Sequence, residues 1–175
     1  MKILVATDGS EQGDAGVEAA TQIAAGHDDA QIEVVSVYET PAMTVAGPYL
    51  GAPVWYPQMI EGAKAVAQGA ALAAQSELNC QCPSAEVNSV VCMGGPADRI
   101  IETAKEWGAD LIVMGSHGYG FWSRTFYGSV SDHVVRHAPC SVLVVRRTTG
   151  CLPVDRLRRK LRSTEKISLP RQRTG

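Results

Sequence analysis

Five short apolar or β-branched runs, separated by stretches of helix length, constrain this chain more than any other feature. The runs cover residues 2–7, 32–38, 86–92, 111–114 and 141–146. Most are continuous rather than alternating, the pattern of strands covered on both faces. Between them lie helix-like segments at about 14–25, 58–78, 97–107 and 130–137. The second is rich in Ala, Gln, Glu, Lys and Leu, all good helix formers. Pro96 stands where a first-turn proline belongs, and Gly108 follows Trp107 as a helix stop. Strand and helix alternate from end to end. The predicted fold is therefore α/β: a five-stranded parallel sheet with helices on both faces and right-handed crossovers.

In such sheets ligands bind beyond the carboxyl ends of the strands, near the point where strand order reverses. Three turns of suitable chemistry fall on that edge. Asp8-Gly9-Ser10 follows the first run and Gly94-Gly95-Pro96 the third. The fourth, Leu111-Ile112-Val113-Met114, leads into Gly115-Ser116-His117-Gly118, and nine residues later into Gly128-Ser129-Val130-Ser131. A strand that ends in glycines and reopens as a helix suits a phosphate. Glycine lets backbone N–H groups approach the anion, and the helix N-terminus adds partial positive charge. A serine before a helix also serves as a plain N-cap, and Asp8 equally suits the cap of the first helix. Gly115 also reads as a strand-exit turn, and Val37 as a core residue.

Charge is divided unevenly. Residues 1–150 carry 8 Lys and Arg against 16 Asp and Glu, whereas residues 151–175 carry 8 against 2. An acidic domain is a poor general nucleic-acid binder, because that binding depends on neutralising phosphates. No run approaches the ~20 apolar residues of a membrane span. The start reaches Asp8 too soon for a secretory signal core. Five cysteines (80, 82, 92, 140 and 151) show no metal-type spacing and fit reduced thiols in a cytoplasmic protein.

The residues above resemble the universal stress protein family, ATP-binding type. That family's pattern is G-x2-G-x9-G-[S/T]. Gly115, Gly118 and Gly128-Ser129 reproduce both gaps. The opening Ile3-Leu4-Val5-Ala6-Thr7-Asp8-Gly9-Ser10 resembles the family's first strand and acidic turn. Gly94-Gly95-Pro96 followed by Ile100-Ile101 resembles its third turn and helix. Asp110 to Gly115, and Pro139-Cys140-Ser141-Val142-Leu143-Val144-Val145, match its fourth and fifth strands. The likeness covers residues 1–147 as one domain and leaves 148–175 as a basic C-terminal tail.

The resemblance implies a doubly wound Rossmann-like nucleotide-binding fold, of the adenine nucleotide alpha hydrolase-like kind. It implies a phosphate and ribose cradle of Gly115, Gly118, Gly128 and Ser129, extended by Gly94 and Val130, with Ser131 one turn on as a further hydroxyl. Asp8 takes the position near the ribose and phosphates where a divalent cation, Mg or Mn, bridges. Val37 takes the position whose backbone reads the adenine edge, with Ala6 and Thr7 in the same pocket. The implied ligand is ATP or another adenine nucleotide. The implied assembly is a homodimer through the last run, which opens at Ser141 and closes at Arg146. The implied function is stress-response regulation of a partner by nucleotide state.

Two other functions stay open: a slow ATPase or autophosphorylating protein using Ser129 or a neighbour, and an interaction module without nucleotide. The chain lacks G-x4-G-K-[S/T], so it is not a P-loop NTPase. It also lacks the H-I-G-H and S-G-G-x-D-S signatures of related adenylylating folds. No lysine lies in the glycine segment, and phosphoryl transfer relies on cationic or metal stabilisation. Efficient hydrolysis is not visibly encoded. Arg124 either touches a terminal phosphate or is a solvated loop arginine. His117 sits within the binding turn. His133 and His137, one turn apart, read as structural or as two metal ligands lacking a third. Tyr49, Trp55 and Tyr56, in the Pro-rich stretch 39–57, read as a lid over the adenine, as a partner surface or as local packing of a long loop. In the tail, Leu157 and Leu161 lie among Arg158, Arg159, Lys160 and Arg162. This fits an amphipathic helix, a solubilising tail, or a segment folding back onto the acidic domain or its dimer mate.

Overall fold

Strands this apolar need cover on both faces, and the chain supplies it. The computed structural model describes residues 1–27, 29–40, 56–116 and 128–146. Strand and helix alternate as β1 (Lys2–Ala6), α1 (Glu11–Ala24), β2 (Gln31–Tyr38), α2 (Tyr56–Gln81), β3 (Glu86–Met93), α3 (Pro96–Trp107), β4 (Leu111–Gly115), α4 (Ser129–His137) and β5 (Ser141–Val145). All four strand pairings are parallel, in the order β3-β2-β1-β4-β5. The expected five-stranded doubly wound sheet is the fold.

Successive residues of β1 point to opposite faces and enter two separate cores. Ile3 and Val5 pack with Val17 and Ala20 of α1 and with Ala71, Ala74 and Leu78 of α2. Leu4 and Ala6 pack with Ile100 and Ala104 of α3 and with Val134 of α4. Ile3, Leu4 and Val5 are fully buried. Burial of one such side chain stabilises by about 1.5–3 kcal/mol relative to exposure.

Local chemistry sets the helix ends. α1 starts at Glu11, three residues before the expected start, because the Ser10 hydroxyl accepts the Gly13 N–H at 3.2 Å as its N-cap. Pro96 opens α3, and Gly108 closes it in the left-handed conformation at φ 70°. α4 starts at Ser129 itself. Its N-cap is Gly128, which offers no side-chain cap. Strand order reverses between β1 and β4, so the chain leaves their carboxyl ends in opposite directions and opens a crevice there. Among the described residues no helix is long and apolar enough to cross a membrane.

Gly118, His117, Arg124, Tyr49 and Trp55, the 147/148 boundary and the tail lie outside the described residues.

Candidate functional site

The crevice holds a cleft of about 400 Å³. Its floor is apolar, with Ala6 of β1, Val35 and Val37 of β2, Ile100 of α3 and Met114 of β4. Its polar rim comes from the turn after β1 and from the start of α4.

The turn after β1 is held by its own side chains. The Thr7 hydroxyl accepts the Gly9 N–H at 3.1 Å, and Asp8 Oδ1 accepts the Ser10 N–H at 3.0 Å. With Ser10 capping α1, the Thr7, Asp8 and Ser10 side chains brace the turn, and Thr7 and Asp8 line the cleft. Gly13 lies directly beneath. A Cβ there would stand 2.6 Å from Thr7 Oγ1 and 3.1 Å from Asp8 Oδ1, so only glycine lets α1 begin so close.

The start of α4 is pinned to the exit of β4. The Ser116 N–H donates to Val145 O at 2.8 Å, and the Gly128 N–H donates to Ser116 O at 2.9 Å. The Ser131 hydroxyl lies 3.2 Å from Ser116 O and 2.9 Å from Gly128 O, and donates to these carbonyls. Ser131 is 2% exposed. Ser131 is therefore a clasp joining α4 to β4, with its one proton committed to backbone carbonyls. Ser129 and Val130 line the cleft at the first turn. That turn carries N–H groups with no intrahelical partner and the positive end of the helix dipole, and its N-cap Gly128 has no side-chain oxygen to cap them. Among the described residues that line the cleft, the charged side chains are Asp8 and Glu39. Among the described residues lining the cleft, an anion would meet backbone N–H groups at the start of α4 and no cationic side chain.

Of the residues singled out from sequence, Ala6, Thr7, Asp8, Val37, Gly115, Gly128, Ser129, Val130 and Ser131 come together around this cleft. Gly94 does not. It turns the chain after β3 at φ 137°, its N–H donates to Tyr38 O at 3.0 Å, and the Arg99 side chain covers it. Its glycine serves the turn. Asp8 leaves the capping of α1 to Ser10, and Ser129 leaves that of α4 to Gly128. Gly115 ends β4 opposite Val145, with α1 packed hard against it. His133 and His137 lie away from the cleft. Their rings stack with centroids 4.3 Å apart, and His133 Nε2 is 3.5 Å from Asp98 Oδ1. Among the described residues no three His, Cys, Asp or Glu side chains gather to hold a metal. Tyr56 opens α2.

Sequence reasoning did not assign Gly13, Val35, Glu39, Ile100 or Met114 to the site, and it quoted Pro96 and Ser116 only as parts of their turns; all seven line the cleft. Val35 and Met114 are strand residues near carboxyl ends, the one signal that could have distinguished them from plain core.

A family model described as the universal stress protein family matches residues 1–146. A universal stress protein of Staphylococcus aureus (strain USA300) is 34% identical over 154 residues, covering 87% of each chain. Among solved structures, universal stress protein UspA from Lactobacillus plantarum aligns with a TM-score of 0.69 at 29% identity, over 83% of this chain and 97% of that one. The universal stress protein from Archaeoglobus fulgidus in complex with dAMP aligns with a TM-score of 0.55 at 22% identity, over 82% and 96% of the two chains.

Proposed function

The chain belongs to the universal stress protein family, and from that premise we propose that its cleft binds an adenine nucleotide, ATP or a shorter relative, and that nucleotide state regulates a partner. One observation carries the reading. The N-terminus of α4, capped only by Gly128, opens onto the cleft at the end of an apolar slot. The slot suits a flat base, and the helix N-terminus suits a phosphate. The dAMP complex of the A. fulgidus relative, which shares the fold, supports the choice of an adenine nucleotide.

In this reading Ala6, Val35, Val37 and Met114 enclose the base, and Gly115, Gly128, Ser129 and Val130 face ribose and phosphates. Asp8 suits a divalent cation shared with phosphate oxygens. Mg²⁺ usually takes one or two carboxylates together with substrate phosphates, and among the described residues Asp8 and Glu39 are the carboxylates lining this cleft. Such an ion neutralises phosphate charge when bound.

β5 is an edge strand, with β4 on one side and no further strand on the other among the described residues. Leu143 on it is 37% exposed. An unpaired edge is a ready pairing surface, which supports a homodimer through β5. Mass spectrometry of small molecules released from the purified protein tests the nucleotide reading. An adenine nucleotide is expected. A different cofactor class released in its place would overturn it.

A further inference from the structure

A second groove, of about 430 Å³, lies on the α1/α2 side of the sheet and shares Asp8 with the cleft. Its floor is Ala70, Ala73 and Ala74 of α2, with Val66 beside them. Val66 is 69% exposed. Asp8, Asp14 and Glu77 also line it, and all three are acidic. α1 adds Glu11 and Glu18 and carries no Lys or Arg. On the opposite face α3 mixes Asp98, Glu102 and Glu106 with Arg99 and Lys105. Among the described residues the charges of α1 are all acidic, whereas α2 carries Lys64 beside Glu61 and Glu77.

We propose that the basic segment from Leu157 to Arg162 of the same chain docks in this groove. Its composition complements the groove: Leu157 and Leu161 are four apart, the spacing that would put them on one face of a helix, and Arg158, Arg159, Lys160 and Arg162 are their neighbours in sequence. The distance is short. β5 and β1 are two strand spacings apart, roughly 10 Å, and their carboxyl ends lie on the same sheet edge. The turn carrying Asp8 and Gly9 lies on that edge, within 3.1 Å of Ala70 when measured from a Cβ built on Gly9. Residues 147–156, between β5 and the basic segment, can span up to roughly 33 Å. Tethering raises the effective concentration of the segment at the groove to roughly the millimolar range, so a modest intrinsic affinity suffices. Because Asp8 borders both cavities, a docked arginine or lysine reaches the carboxylate that faces the cleft. Tail docking and ligand binding are then linked reciprocally.

Carbodiimide coupling of the full chain, which joins carboxylates to lysine amines, tests the contact directly. Cross-links from Lys160 to Glu77 or Asp14 are expected in peptide maps. In a mixture of light and heavy isotope-labelled protein they are expected within one chain. Cross-links found only between light and heavy chains would overturn the assignment by making a second copy the occupant. Hydrogen exchange provides the second readout. Leu157→Asp with Leu161→Asp is expected to speed amide exchange over residues 66–77 by about tenfold, with exchange in β1 and β4 unchanged. Unchanged exchange over 66–77, with no cross-link from Lys160, would refute the docking.

Discussion

The carbonyl oxygen of Gln12, in the first turn of α1, occupies the space that a Cβ on Gly115 would need. The atoms in the way are backbone, so no rotamer change relieves the overlap. Gly115 therefore does two jobs at once: it borders the cleft, and it lets α1 seat against the end of β4. Gly115→Ala is expected to push α1 off β4 and cost about 1–3 kcal/mol, several degrees in Tm. Thermal unfolding of the nucleotide-free protein checks this. An unchanged Tm would leave Gly115 with a purely ligand-facing role.

Ser129 and Ser131, two residues apart, have different roles. The Ser131 hydroxyl is buried and clasps Ser116 O and Gly128 O. Ser131→Ala is expected to lose about 1 kcal/mol of stability. Ser129 lies in the first turn of α4, on the cleft, and caps nothing. Ser129→Ala is expected to leave Tm nearly unchanged. It is expected to weaken nucleotide binding by roughly tenfold or more, the cost of one hydrogen bond to a charged group. Denaturant melts and binding titrations of the two variants separate these effects.

Half-buried Glu33 on β2 provides a test by pH. Desolvation pushes its carboxyl above the ordinary carboxylate range, and the nearby Lys2 ammonium partly opposes the shift. The folded state holds that proton more tightly than the unfolded chain. The group's contribution to stability is full below the ordinary carboxylate pKa and is lost as pH rises through the raised one. Glu33→Gln is expected to raise Tm at about pH 7, and to converge with the parent protein at about pH 3, where both side chains are neutral. Thermal melts across that range check the sign. A lower Tm for the variant at neutral pH would mean that the Lys2 attraction outweighs desolvation.

Much of the fold is legible in sequence, because strands buried on both faces are written as unbroken apolar runs. Ile3-Leu4-Val5 and Ile112-Val113 are fully buried parts of such runs, and each run reaches a glycine turn within a few residues. The start of α1 is less legible. Glu11-Gln12-Gly13 contains a glycine, a poor helix former, and the Ser10 cap that overrides it is a geometric fact rather than a compositional one. The glycine spacing pointed to the correct edge of the sheet, yet not to the separate duties of its members. Gly115 meets Gln12 across about a hundred residues of chain, a packing relation with no local trace. Gly94 looks like Gly115 in sequence but sits beyond the cleft, under Arg99. Val35, Ile100 and Met114 are apolar and read as core, which they also are. Glu39 reads as the start of a loop, and only the position of β2 makes it a wall of the cleft.

The central claim is that the slot running from Val37 to the first turn of α4 takes an adenine nucleotide. Isothermal titration of ATP, with magnesium, into protein first stripped of ligand by mild denaturation and refolding measures this most directly. The prediction is saturable binding at about one site per chain, the share of a single pre-formed pocket, with AMP competing for the same site. A protein with native circular dichroism that shows no saturable heat with ATP or AMP up to millimolar concentration would contradict it.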